Sequence, residues 1–248
     1  MSALAGRVAV ITGADQPLGR GLALAVANEG ANVALLGDEG LLTAVAQEAS
    51  EHGARAVAFP ALLTERHDVE RAFKQAAETF GAPVSAVVHT AMTPIAYEPI
   101  AFADIDDERW GLIWEGTMRA ALAVLQASFA PMRGHDGRIV LVAPTVSMSG
   151  AERLVSYTTA VEGQRLLAKS AARQWGPDGI TVNCVAVAPE QVPIGVSSTA
   201  TSLAPAALGG IGDSEHDIGP VVVFLLGDAG RFVTGATISV DGGVWMAP

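Results

Sequence analysis

The chain has 248 residues, half of them hydrophobic and 17% charged, with 15 basic against 26 acidic residues for a formal charge of −11. That balance supports a large buried core and excludes a disordered chain. The acidity opposes nucleic acid and anionic membrane surfaces as partners.

Short aliphatic or β-branched runs alternate with longer helical patterns. In chain order the predicted strands are 7–12, 32–36, 55–59, 84–89, 138–142, 180–185 and 237–240. Their nearly continuous apolar character is that of strands buried on both faces. The predicted helices between them are about 17–29, 39–52, 66–80, 108–132, 156–175 and 216–227. Regular β-α-β alternation with right-handed crossovers gives an α/β, Rossmann-like, doubly wound parallel sheet of seven strands with helices on both faces. No linker or repeat interrupts the pattern, so a single domain over 1–248 is expected. The acidic run 104–108 sits where carboxylates complement a helix N-terminus, and with no histidine or cysteine beside it no metal site is expected. Residues 190–215 are small, polar and rich in proline and glycine. They follow the sixth strand at its carboxyl end and read as a flexible, lid-like segment.

Cys184 is the only cysteine and reads as a small buried hydrophobe. Internal disulfides are therefore impossible. No apolar run approaches the roughly 18 residues of a membrane span, and the first residues do not read as a signal peptide. Taken together these features predict a cytoplasmic protein.

The stretch after the first strand, Thr12 to Gly21, places glycines between a strand and a helix. There the backbone can approach a pyrophosphate and the helix N-terminus supplies N–H groups. This loop, Tyr157 preceded by Ser156, and the segment 239–246 with its Val-Asp-Gly-Gly core together resemble the short-chain dehydrogenase/reductase family along essentially the whole chain. The resemblance implies a Rossmann-like domain, NAD(P)-linked alcohol or carbonyl chemistry, and usually a homotetramer. It implies cofactor contacts at Gly13, Leu18, Gly19, Asp38 and Ala91, and a catalytic tyrosine at Tyr157.

The chain departs from the family pattern at particular positions. In the TGxxxGxG motif the middle glycine is Pro17, and Asp15 adds a negative charge to the loop. Gly37 stands where the family has an acid after the second strand, and Asp38 follows it. The NNAG position reads His89-Thr90-Ala91-Met92, and Leu62 replaces an aspartate near the adenine. The family lysine, four residues after the tyrosine, is Val161; the serine is Pro144; the asparagine is Thr117. Lys169 and Arg165 lie about 18 and 12 Å further along the helix, too far to replace the lysine. Thr145, adjacent to the serine position, is expected to point to the opposite face of an extended segment. His89 is expected to be a structural histidine rather than a new acid–base group.

Without a cation beside it, a phenol with pKa near 10 is ionised about one part in a thousand at pH 7. The expectation is therefore a pseudo-enzyme, a non-catalytic subunit or scaffold that pairs with a catalytic homologue as a homo- or hetero-oligomer. The alternative is a weakly active or altered NAD(H)-dependent oxidoreductase acting through Tyr157. If a cofactor binds, NAD is favoured over NADP, because Asp38 and Asp15 would repel a 2′-phosphate.

Overall fold

The computed structural model of the protein describes residues 2–51, 53–192 and 205–246. Seven strands form one sheet in the order β3-β2-β1-β4-β5-β6-β7, every neighbouring pair parallel. They are β1 (Val8–Thr12), β2 (Asn32–Gly37), β3 (Ala56–Pro60), β4 (Val84–His89), β5 (Arg138–Pro144), β6 (Thr181–Val187) and β7 (Thr237–Val240). The helices are α1 (Pro17–Asn28), α2 (Glu39–Glu51), α3 (Arg66–Phe80), α4 (Asp107–Trp114), α5 (Ala120–Met132), the single turn α6 (Val146–Ser149), α7 (Val155–Trp175) and α8 (Gly219–Leu226).

Alternate residues of each strand serve opposite cores, as the two-residue period of a strand requires. Ala9 and Ile11 of β1 join a core with Leu22 and Val26 of α1 and Val222 and Leu225 of α8. Val8 and Val10 join the other core, with Phe73 of α3, Val124 of α5 and Ala172 of α7. The chain leaves β1 toward β2 on one side and returns to β4 on the other. That reversal opens a crevice beyond the carboxyl ends of β1 and β4, the position at which doubly wound sheets bind ligands.

The local signals act as their chemistry dictates. Asp106 caps α4, its carboxylate accepting from the Arg109 N–H at 2.7 Å. After α7 the chain turns through Gly176–Asp178 and is released by Gly179 in the left-handed region at φ 81°. Cys184 lies in β6 at 1% exposure, and burial pushes its thiol up to about 12.

Three differences from the sequence expectation have physical causes. β5 continues to Pro144, which pairs in register with Val187. Proline is tolerated there because it stands at the strand's end. The helix expected over 108–132 is interrupted by a π-turn at Glu115–Arg119. α8 is likewise preceded by a π-turn, Ser214–Ile218, whose first N–H groups, those of Glu215 and His216, donate to Asp213. Of the expected lid, residues 193–204 lie outside the described residues. On its near flank the Gln191 side chain donates to the carbonyl of Ile211 at 2.9 Å and to that of Gly212. Among the described residues no helix is long and apolar enough to cross a membrane, and no cluster of metal-ligating side chains occurs.

Candidate active site

The cleft at the switch point has a volume of about 300 Å³. Gly13, Asp15, Gly37, Asp38, Leu62 and Ala91 are among its lining residues. The loop after β1 is drawn tightly onto the end of β4. Gly13 has φ 72°, and a Cβ on it would lie 2.6 Å from Thr90 Oγ1 and 2.9 Å from the Ala91 backbone. A Cβ on Gly19 would lie 2.2 Å from the Gly13 carbonyl oxygen. No residue but glycine fits either position. Pro17 takes the first position of α1, where a missing N–H costs the helix nothing. Leu18 and Gly19 follow it, buried, and their N–H groups fall in the first turn, where no intrahelical acceptor exists.

A dinucleotide fits this arrangement. The first turn of the 12-residue α1 leaves N–H groups without intrahelical acceptors beside the loop, Asp15 and Gln16 of that loop line the cleft, and Asp38 lines it from the end of β2, whereas Leu18 and Gly19 are not among its lining residues. Asp38 is exposed at the rim. The Asp15 carboxylate lies beside the end of β2. A Cβ on Gly37 would be 2.9 Å from its Oδ1. Desolvation raises the Asp15 carboxyl above its ordinary range, and the charge of Asp38 adds to the effect.

Tyr157 lies in the first turn of α7 at 0% exposure, and its hydroxyl has no hydrogen-bond partner. Its ring meets that of Tyr97 edge-on, 5.2 Å between centroids at 61°. Burial pushes its pKa well above the usual value, and the electrostatic neighbour, Tyr97, pushes it further. Val161, in the lysine position, is fully buried one turn further on. Arg165 is paired with Glu162 and reaches toward Thr237 Oγ1 at 3.5 Å. Lys169 lines a groove on the outer side of α7. Neither turns toward the phenol.

The other family positions are also sealed. Pro144 ends β5 with no side-chain donor. Thr145 is not extended, contrary to expectation. It precedes α6 with φ −59° and ψ −24° and makes no side-chain cap, so the opposite-face argument does not apply to it. Its hydroxyl is nonetheless buried without a partner. Thr117 sits inside the π-turn, and its carbonyl accepts from the Ala120 N–H and from Gln164 Nε2 at 3.1 Å. His89 pairs with Thr12 Oγ1 through Nδ1 at 2.7 Å, and burial pushes its pKa down to about 4. It is buried and neutral at physiological pH, and its Nε2 has no partner.

Sequence reasoning missed Tyr97 and Gln164. Gln164 stands two turns after Tyr157 on one helix face, a spacing that could have drawn notice. No periodicity marks Tyr97, which lies on the short turn Pro94–Tyr97.

A family model described as enoyl-(acyl carrier protein) reductase matches residues 13–245. The chain belongs to the short-chain dehydrogenase/reductase family. It is 30% identical to NADPH-dependent aldehyde reductase 2, chloroplastic, of Arabidopsis thaliana, covering 97% of this chain and 94% of that one. It is 29% identical to the L-rhamnose 1-dehydrogenase (NAD(P)(+)) of a Sphingomonas species, covering 99% of both. A crystal structure of a dehydrogenase/reductase from Sinorhizobium meliloti superposes with a TM-score of 0.86 at 27% identity, over 98% of this chain and 97% of that one. The short-chain dehydrogenase/reductase match thus runs from the glycine-rich loop to the turn after β7.

Proposed function

We propose that this family member is a pseudo-enzyme: it keeps a nucleotide cleft but performs no proton transfer at Tyr157, and it serves as a subunit or scaffold beside a catalytic homologue. The carrying observation is the environment of Tyr157. A general acid must exchange its proton with substrate or solvent. This hydroxyl is fully buried and unpartnered, with Val161 in place of a cation. Gln164 Nε2 donates to the Thr117 carbonyl, tying α7 to the position where the family has its asparagine.

Assembly is supported by an outer groove of about 540 Å³ that Trp114, Gly163 and Leu166 help to line. Leu166 is 65% exposed there and Trp114 39%. The resemblance places family interfaces on these same helices, so a second short-chain dehydrogenase/reductase chain, identical or homologous, is the expected partner.

NAD is the nucleotide that this cleft favours. Asp15 and Asp38 would face the adenosine ribose, and both would repel a 2′-phosphate. The Arabidopsis relative is named for NADPH, but its name does not transfer to a cleft lined by two carboxylates.

The test is turnover of aldehydes, ketones and 3-oxoacyl thioesters with NADH and with NADPH. Rates at the buffer level with both, alongside measurable NADH binding, are expected. A rate that Tyr157→Phe abolishes would overturn the reading. It would establish the second one, a weak oxidoreductase in which neutral Tyr157 donates a proton to a carbonyl. That second reading draws on the hydroxyl's protonated state and on relatives named as reductases.

A further inference from the structure

We propose that Asp15, on the glycine-rich loop, is the carboxylate that recognises the adenosine ribose, held in the space that a side chain at position 37 would fill. The inference deepens the nucleotide-cleft reading and rests on it.

β2 ends at Gly37, and the Ala61 N–H donates to the Gly37 carbonyl at 3.2 Å, fixing that end against the chain after β3. The Gly37 backbone has an ordinary negative φ, so conformation does not demand glycine there. Space does. A Cβ built on Gly37 would stand 2.9 Å from Asp15 Oδ1 and 3.5 Å from its Cγ. The carboxylate of Asp15 therefore occupies the volume next to the strand end, reached from the opposite wall of the crevice.

Asp15 and Asp38 differ in their setting. Asp38 is exposed, one residue past the strand. Asp15 is half-buried with its carboxylate beside the end of β2, and desolvation raises its carboxyl. A fixed carboxylate can accept hydrogen bonds from both hydroxyls of a vicinal diol. It repels a phosphate monoester at the same place. The ligand class is thus a nucleotide whose adenosine ribose has both hydroxyls free. Asp38 adds negative potential at the rim without the fixed contact.

Titration with NADH, NADPH and ADP-ribose, followed by calorimetry, separates the possibilities, with thermal melting of each variant as the folding control. Asp15→Asn and Asp15→Ala are expected to weaken NADH and ADP-ribose at least about tenfold and to narrow the NADH–NADPH gap. Asp38→Ala is expected to weaken them less. Gly37→Asp should weaken binding through crowding and like charge, and the swap Asp15→Gly with Gly37→Asp should recover most of the loss. Wild-type affinity in Asp15→Ala, or a folded swap variant that recovers nothing, overturns the proposal. If the wild-type protein binds none of the three at millimolar concentration, the nucleotide-cleft reading itself falls, and this proposal with it.

Discussion

Tyr157 combines a full aromatic side chain in the core with a hydroxyl that contacts no acceptor or donor. Such a group costs about 1–3 kcal/mol of desolvation without return. Tyr157→Phe should therefore raise stability by about 1 kcal/mol, seen as a higher urea midpoint at unchanged slope. A loss would show that the hydroxyl is engaged in the folded protein. His89 gives a second residue-scale expectation. The unfolded chain takes up a proton near 6.5, whereas the folded chain resists until about 4. Protons thus favour unfolding across that window, so stability present above pH 6.5 declines as pH falls toward 4, by up to about 3 kcal/mol. His89→Asn should flatten this acid limb, measured by urea unfolding at several pH values. At this scale the sequence speaks most clearly where the family holds a role with one residue type. The replacements at 117, 144 and 161 stood out from the family spacing alone. The placement of Asp15 against Gly37 did not, because it depends on how two loops far apart in the chain meet across the crevice.

The elements are positioned by contacts that allow little adjustment. A Cβ on Gly21 of α1 would lie 2.0 Å from Ser214 Oγ and 3.0 Å from the Glu215 amide nitrogen. One on Gly219 would lie 2.4 Å from Ala25 Cβ. α1 and the π-turn before α8 thus pack backbone to backbone. Gly21→Ala should cost about 1–3 kcal/mol through overpacking, despite alanine's better helix propensity. Adding Ser214→Gly should return part of it, a compensation that thermal unfolding of the single and double variants will measure. Strand and helix positions were legible because the apolar periods are strong and the inner strands β1, β5 and β6 are buried throughout, whereas the edge strands β3 and β7 are only partly buried. The π-turns at 115–119 and 214–218 were not, since a one-residue widening of a helix leaves the polar–apolar pattern almost unchanged.

For the whole molecule, a doubly wound parallel sheet of seven strands followed from alternation and handedness, whereas the order β3-β2-β1-β4-β5-β6-β7 came from the structure. If the groove beside α7 is an interface, the protein should sediment as an oligomer. Leu166→Glu should then shift it toward monomer with little change in its melting as a folded unit. An unshifted distribution would place the contact elsewhere. The single thiol offers a different use of the same molecule. Cys184 lies in β6 between two neighbouring strands, nearly without contact to solvent and largely un-ionised. A thiol reagent can therefore modify the protein only as fast as this part of the sheet opens. The unaltered chain carries its own timer of sheet rupture, and a pulse of reagent followed by mass measurement would report the opening rate with no label introduced.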